Sequence, residues 1–293
     1  MDELKPLLAR ADRLLDRLER ILPEPPLAEP DWAGNTAFRW CRTDRGGHLH
    51  AIARPHEIKA SQLRRIDHQR QRLDRNTRQF VAGLPANNAL LWGSRGTGKS
   101  SLVKAMLQAY ADQGLRLLEV SPTDLVDLPQ IIERIADRPE RFILFCDDLS
   151  FEADDPGYKA LKASLDGSLS VAPDNLLIYA TSNRRHLLPE SMQDNLDSHH
   201  VDGELHHGEA VEEKISLSER FGLWIAFHPF DQDAYLTIVD GWLRHYGLDL
   251  EHAPDTRERA LRYALERGSR SGRVAAQFAR DYAGLVGLEQ RER

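Results

Sequence analysis

Ala89-Leu90-Leu91-Trp92-Gly93-Ser94-Arg95-Gly96-Thr97-Gly98-Lys99-Ser100-Ser101 is the stretch on which the fold turns. Four apolar residues read as a buried strand, and Ser100 to Asp112 reads as a helix. Between them Gly93 to Ser100 completes the pattern G-x-x-x-x-G-K-[ST], in the strand–loop–helix setting that gives the pattern meaning. Glycines let such a loop curl so that its amides point inward at phosphate oxygens. The helix beginning near Lys99 adds the positive end of its dipole. Lys99 brings an ammonium for the β- and γ-phosphates, and Ser100 brings a hydroxyl for Mg²⁺. The whole run Gly93, Ser94, Arg95, Gly96, Thr97, Gly98, Lys99, Ser100 and Ser101 is therefore expected to line a phosphate site.

Outward from this stretch the chain alternates strand and helix. Arg116–Val120 reads as a second strand and Asp124–Asp137 as a helix; Phe142–Cys146 is a third strand and Tyr158–Leu169 a helix. Leu176–Ala180 and Leu223–Phe227 complete five strands. Short, continuously apolar strands alternating with helices predict a parallel sheet covered on both faces. Three helices near 232–246, 256–267 and 272–286 carry apolar residues at helical spacing and are expected to form a small lid.

Upstream, residues 1–22 have the leucine spacing of an amphipathic helix, ended by Pro23, Pro25, Pro26 and Pro30. Phe38–Cys41 and His48–Ile52 flank an Arg45-Gly46-Gly47 turn and predict a hairpin. Ser61 to Val81 reads as a polar helix.

Phosphate binding does not by itself imply hydrolysis, which also needs a metal carboxylate and a group to polarise water. The third strand ends in Asp147-Asp148, and a parallel strand delivers its C-terminal residues to the edge that holds the phosphate loop. Asp147 is assigned to the Mg²⁺ shell and Asp148 to the attacking water, with Glu152 as a longer-reaching reserve base. The fourth strand ends in Thr181-Ser182-Asn183. If that strand lies between the first and third, Asn183 reaches the same site, to hold water and sense the γ-phosphate.

This order of features resembles the AAA+ ATPases over roughly 61–287. More narrowly, Asn76-Thr77, Ala86-Asn87-Asn88, Phe145 to Glu152, Tyr179 to Leu187 and Ser218-Glu219-Arg220-Phe221-Gly222 resemble a bacterial domain-of-unknown-function family, number 815. The resemblance implies ATP as the bound nucleotide. It implies that Arg220 is an arginine finger acting on the nucleotide of a neighbouring subunit, and hence a homo-oligomer. It implies that Arg273 is a lid residue contacting phosphate in its own subunit, with Arg267 and Arg270 as rivals, and that Ile66 touches adenine. One departure stands out: the superfamily ends its third strand in Asp-Glu, whereas this chain has Asp147-Asp148. The carboxylate is set back by one methylene, so slow turnover, or a nucleotide-gated module with none, remains an alternative.

Composition narrows the rest. The chain has 293 residues, 41% of them hydrophobic and 29% charged, which is ample for one large domain or two moderate ones. No apolar run is long enough to cross a membrane. Two cysteines, Cys41 and Cys146, exclude a disulfide framework and fit a reducing cytoplasm. Charge is uneven: Glu190–Glu219 has nine acids against Lys214, while Arg54–Arg78 has eight bases against three acids. His199-His200 and His206-His207 match no ligand spacing. HExxH, CxxC and GxSxG are absent, leaving zinc peptidase, dithiol redox and serine hydrolase chemistry without support.

The expectation is an α/β fold of AAA+ P-loop type, with a five-stranded parallel sheet between helices. It comprises residues 1–60 as a helix-and-hairpin extension, 61–230 as the core and 231–293 as the helical lid. The expected function is Mg-ATP hydrolysis that drives a conformational change on a protein or nucleic-acid client.

Overall fold

A computed structural model describes residues 30–43, 46–151, 155–166, 173–185, 187, 199–201, 204–206 and 217–292. The chain divides into two units, Met1–Trp32 and Ala33–Arg293, and the described residues fall almost wholly in the second. The helix expected over 1–22 and Glu152 lie outside the described residues.

In chain order the strands are β1 (Ala37–Thr43), β2 (Gly46–Ala51), β3 (Ala89–Gly93), β4 (Leu115–Glu119), β5 (Arg141–Cys146), β6 (Leu176–Ser182), β7 (His199–Val201), β8 (Glu204–His206) and β9 (Leu223–Phe227). The helices are α1 (Asp67–Val81), α2 (Lys99–Tyr110), α3 (Leu128–Ile135), α4 (Pro156–Asp166), α5 (Gln232–His245), α6 (Thr256–Glu266) and α7 (Gly272–Arg291). The main sheet has seven strands in the order β2-β1-β4-β5-β6-β3-β9. β7 and β8 form a separate antiparallel ribbon with His199 opposite His206.

The five expected parallel strands are all present, with β6 between β3 and β5. The expected strand count of five is corrected to seven, because the hairpin is not an appendage. β1 lies parallel to β4, pairing Ala37 with Leu117 and Arg39 with Glu119. The Arg39 guanidinium meets the Glu119 carboxylate at 2.8 Å. On the other side Trp40 is buried, donates Nε1–H to Asp127 at 3.1 Å and lies under the Arg134 guanidinium.

Strand residues alternate between two buried faces. Leu91, Ile143, Phe145, Tyr179 and Ile225 share a cluster with Leu73, Phe80, Leu102 and Met106 of α1 and α2. Leu90, Phe142, Leu144 and Ala180, of opposite parity, are also fully buried, as are Leu128, Ile131 and Leu161 of α3 and α4. The lid has its own core of Tyr235, Val239, Leu243, Ala260, Ala264, Val274, Phe278 and Tyr282. Asp231 caps α5 by accepting from the Ala234 amide at 2.7 Å. The helix expected from Ser61 begins only at Asp67, since Arg65 adopts a left-handed φ of 64° that breaks the helical path.

Candidate functional site

Strand register brings the sequence-predicted groups to one edge of the sheet. Gly93 stands opposite Phe227, Trp92 opposite Ser182, and Cys146 opposite Ala180. The residues that follow these strands, Ser94 onward, Asp147-Asp148 and Asn183, therefore emerge side by side. Gly93 is required by close approach: a Cβ there would sit 2.1 Å from the Phe227 carbonyl oxygen, which instead accepts from the Ser94 amide at 2.9 Å. Gly96 has φ 70°, and a Cβ would come 2.8 Å from Ser271 Oγ at the start of α7. The Arg273 amide donates to the Gly96 carbonyl at 3.4 Å, so the lid rests directly on the loop.

Lys99 is 7% exposed and its ammonium sits inside the loop. Nζ donates to the carbonyls of Gly93 and Ser94, both at 2.8 Å, and to Asn183 Oδ1 at 3.2 Å. Burial lowers the Lys99 pKa, and the positive charges of Arg95 and Arg273 lower it further; Asp148 and Asp147 oppose them. Three cations thus crowd a half-enclosed loop, an arrangement that a polyanion would relieve. Thr97, also buried, closes the loop by donating Oγ1–H to the Ser94 carbonyl at 2.8 Å.

Next to the loop, Ser100 Oγ donates to Asp147 Oδ1 at 2.5 Å across 47 residues of sequence. Thr181 Oγ1 donates to the same oxygen at 2.6 Å and accepts from the Asp148 amide at 2.9 Å. Asn183 Nδ2 donates to Asp148 Oδ1. Asp148 has φ 54°, a conformation that a short polar side chain tolerates better than most. Asn183 therefore links the Lys99 ammonium to the Asp148 carboxylate, and Thr181 links the two acids. Sequence reading gave Thr181 no role of its own, placing it only with Ser182 and Asn183 at the polar end of the fourth strand.

A hydroxyl and a carboxylate pointed at each other beside a buried ammonium are hard oxygen donors of the kind Mg²⁺ takes. Among the described residues no group of three or more His, Cys, Asp or Glu could hold a metal. A cation at Ser100 and Asp147 would accordingly complete its shell with phosphate oxygens and water, as Mg²⁺ habitually does.

Ile66 is buried, with its Cδ1 3.5 Å from where a Cβ of Gly98 would lie, so it packs against the loop. Ser101 is half-buried on α2, and Arg95 and Arg273 are exposed. Of the rivals to Arg273, Arg267 has its guanidinium stacked over Tyr263. Arg220 does not join the group. It precedes β9, whose far end, Phe227, abuts the loop, and its Nε pairs with Asp166 at the end of α4. Sequence analysis did not find Asp166.

A search of the curated proteins finds no match. Among solved structures, the fold is similar to the Holliday junction branch migration motor RuvB of Thermotoga maritima. The TM-score is 0.51 at 15% identity, over 79% of this chain and 67% of that one. It is also similar to the Aeropyrum pernix ORC1 protein in complex with DNA, at TM-score 0.49 and 15% identity, over 79% of this chain and 62% of that one. A family model described as Protein of unknown function (DUF815) matches residues 33–286. That match runs from just before β1 almost to the end of α7, so the chain belongs to the DUF815 family, and its fold is that of the AAA+ P-loop ATPases.

Proposed function

We propose that this protein binds ATP with Mg²⁺ at the loop Gly93–Ser101 and hydrolyses it to drive a conformational change on a macromolecular client. The observation that carries the reading is the 2.5 Å contact between Ser100 and Asp147 beside the buried Lys99. Ser100 and Asp147 would hold the Mg²⁺, which supplies charge neutralisation to the phosphates when bound. Lys99, Arg95 and Arg273 balance the remaining negative charge. Asp148 takes a proton from the water that attacks the γ-phosphorus, while Asn183 keeps that carboxylate and the water in register. Ile66 lies on the side of the loop expected to face the base.

Arg220 serves a neighbouring subunit in this reading. β9 spans about 13 Å at ~3.3 Å per residue, and Arg220 lies beyond its far end, too distant for its own loop. A homo-oligomer belongs to this reading, and that distance supports it. No described helix is long and apolar enough to cross a membrane, and the two free cysteines fit a reducing cytoplasm.

One observation favours a second reading, a nucleotide-gated module with little turnover: the short Asp148 side chain is already held by Asn183. Phosphate release separates the two. In the hydrolytic reading Asp148→Asn retains Mg-ATP binding and loses about 10²-fold or more in turnover. Unchanged release in that variant contradicts the assignment of Asp148. Tight binding without release in the unaltered protein favours the gated module.

A further inference from the structure

Four exposed arginines of the lid come with acids: Arg244 with Asp240, Arg257 with Asp233, Arg259 with Asp255 and Arg262 with Glu258, whereas Arg270 and Arg280 have no ion pair among the described residues. Along α1 and the segment leading into it, the exposed arginines stand together without such partners. Asp67 is engaged by Arg70 at 2.6 Å, and Asp74 accepts from the Tyr110 hydroxyl at 2.8 Å. Arg64, Arg65, Arg75 and Arg78 are exposed and Arg72 half-exposed, and among the described residues no carboxylate lies within ion-pair distance of them. Arg54 and Lys59 extend the same basic stretch upstream.

The apolar side of α1 is spent on the core, since Leu73 and Phe80 are buried. What remains outside is Asp67, His68, Gln71, Arg75, Arg78 and Gln79, with Arg72 at the flank. Surface pairs of the lid kind contribute little individually, but they neutralise the field; a run of unneutralised guanidinium groups does the reverse. The planar fork of arginine suits two oxygens of one phosphate, and Arg72, Arg75 and Arg78 rise about 4.5 Å apart along the helix axis. A lipid surface is a poorer partner, because the exposed face offers no apolar side chain to insert.

We propose that α1 and the segment before it form a docking surface for the phosphate backbone of a nucleic acid, read by charge and not by base sequence. This names the client of the reading above and rests on it only for what binding accomplishes. The contact itself stands on residues outside the nucleotide site and is measured without ATP.

The test is fluorescence anisotropy of a labelled 20-base-pair duplex and a 20-nucleotide single strand against the full chain, between 50 and 200 mM NaCl. The unaltered protein is expected to bind at least one of them with a steep salt dependence. Arg72→Gln, Arg75→Gln and Arg78→Gln together are expected to weaken binding about tenfold or more and to flatten the log–log salt slope by about 3. Arg257→Gln, Arg259→Gln and Arg262→Gln together should change affinity by less than about twofold, their charges being already paired. Should the α1 triple variant lose its thermal transition, Arg75→Gln alone is expected to flatten the slope by about 1. The proposal is overturned if the α1 variants bind as the unaltered protein does, or if the lid variant loses as much. It is equally overturned if neither oligonucleotide binds while phosphatidylserine vesicles do, or if α1 substitution alters only self-association. Loss of Mg-ATP binding in a Lys99→Ala control would leave the oligonucleotide result intact, so the two readings fail separately.

Discussion

At the loop-bearing edge of the sheet the backbone departs from regular geometry at several positions. Gly93 takes φ 123° against Phe227, Gly96 takes 70° against Ser271, and Asp148 takes 54°. At the opposite edge polar groups are buried too, and the network around Tyr179 is satisfied, although Asn175 Oδ1 and Ser218 Oγ nearby have no partner among the described residues. Asn76 Nδ2 donates to the Asn87 carbonyl at 2.8 Å and to the Tyr179 hydroxyl at 3.0 Å, and Asn76 Oδ1 accepts from the Asn87 amide at 3.1 Å. Thr77 shares a 2.9 Å bond with the same hydroxyl, whose pKa burial pushes up to about 12. Asn88 Oδ1 accepts from the Ile178 amide at 2.8 Å. A satisfied buried network rigidifies and offers no chemistry. The other edge concentrates Lys99, Arg95 and Arg273 without enough negative charge to balance them, and a lysine whose pKa is lowered is one that an incoming anion stabilises. Both edges bury polar atoms, and the difference lies in whether the charge is balanced.

Three substitutions probe that contrast. Lys99→Ala is expected to have the largest effect, weakening Mg-ATP binding about a hundredfold or more by titration calorimetry while the fold persists, since the ammonium serves the site and not the core. Arg220→Ala comes next: binding should survive and phosphate release should fall about a hundredfold or more. Mixing it with Lys99→Ala subunits should restore release, because each mutant subunit supplies what the other lacks. No restoration would mean that Arg220 does not act between copies and belongs with the inert edge. Asn76→Ala should have the smallest functional effect. It costs about 1–3 kcal/mol of stability by stranding the Asn87 amide, seen as a lower melting temperature, and leaves nucleotide affinity unchanged. If it weakened affinity instead, the separation between the two edges would be lost.

The loop, the acid-ending third strand and the polar-ending fourth were legible in the sequence because each is a local pattern: a motif, then two apolar runs stopped by polar residues. Their convergence was conditional on β6 lying between β3 and β5, and the register bears this out. Local patterns did not reveal where the hairpin goes. Phe38 and Trp40 alternate with Arg39 and Cys41 as in any half-buried strand, and only Glu119, 80 residues on, shows that β1 extends the main sheet. Thr181 was illegible for a related reason. Its hydroxyl matters because it bridges Asp147 and Asp148, and a threonine inside Tyr179-Ala180-Thr181-Ser182 looks like ordinary strand material. Asp166 likewise ends a polar helix, and nothing near it in sequence points to Arg220.

Titration of Mg-ATP into the folded, unaltered protein tests the central claim most directly. The account predicts saturable heat at one site per chain, reduced when Mg²⁺ is chelated and lost in Lys99→Ala. No heat at millimolar Mg-ATP from protein with an intact thermal transition would contradict it.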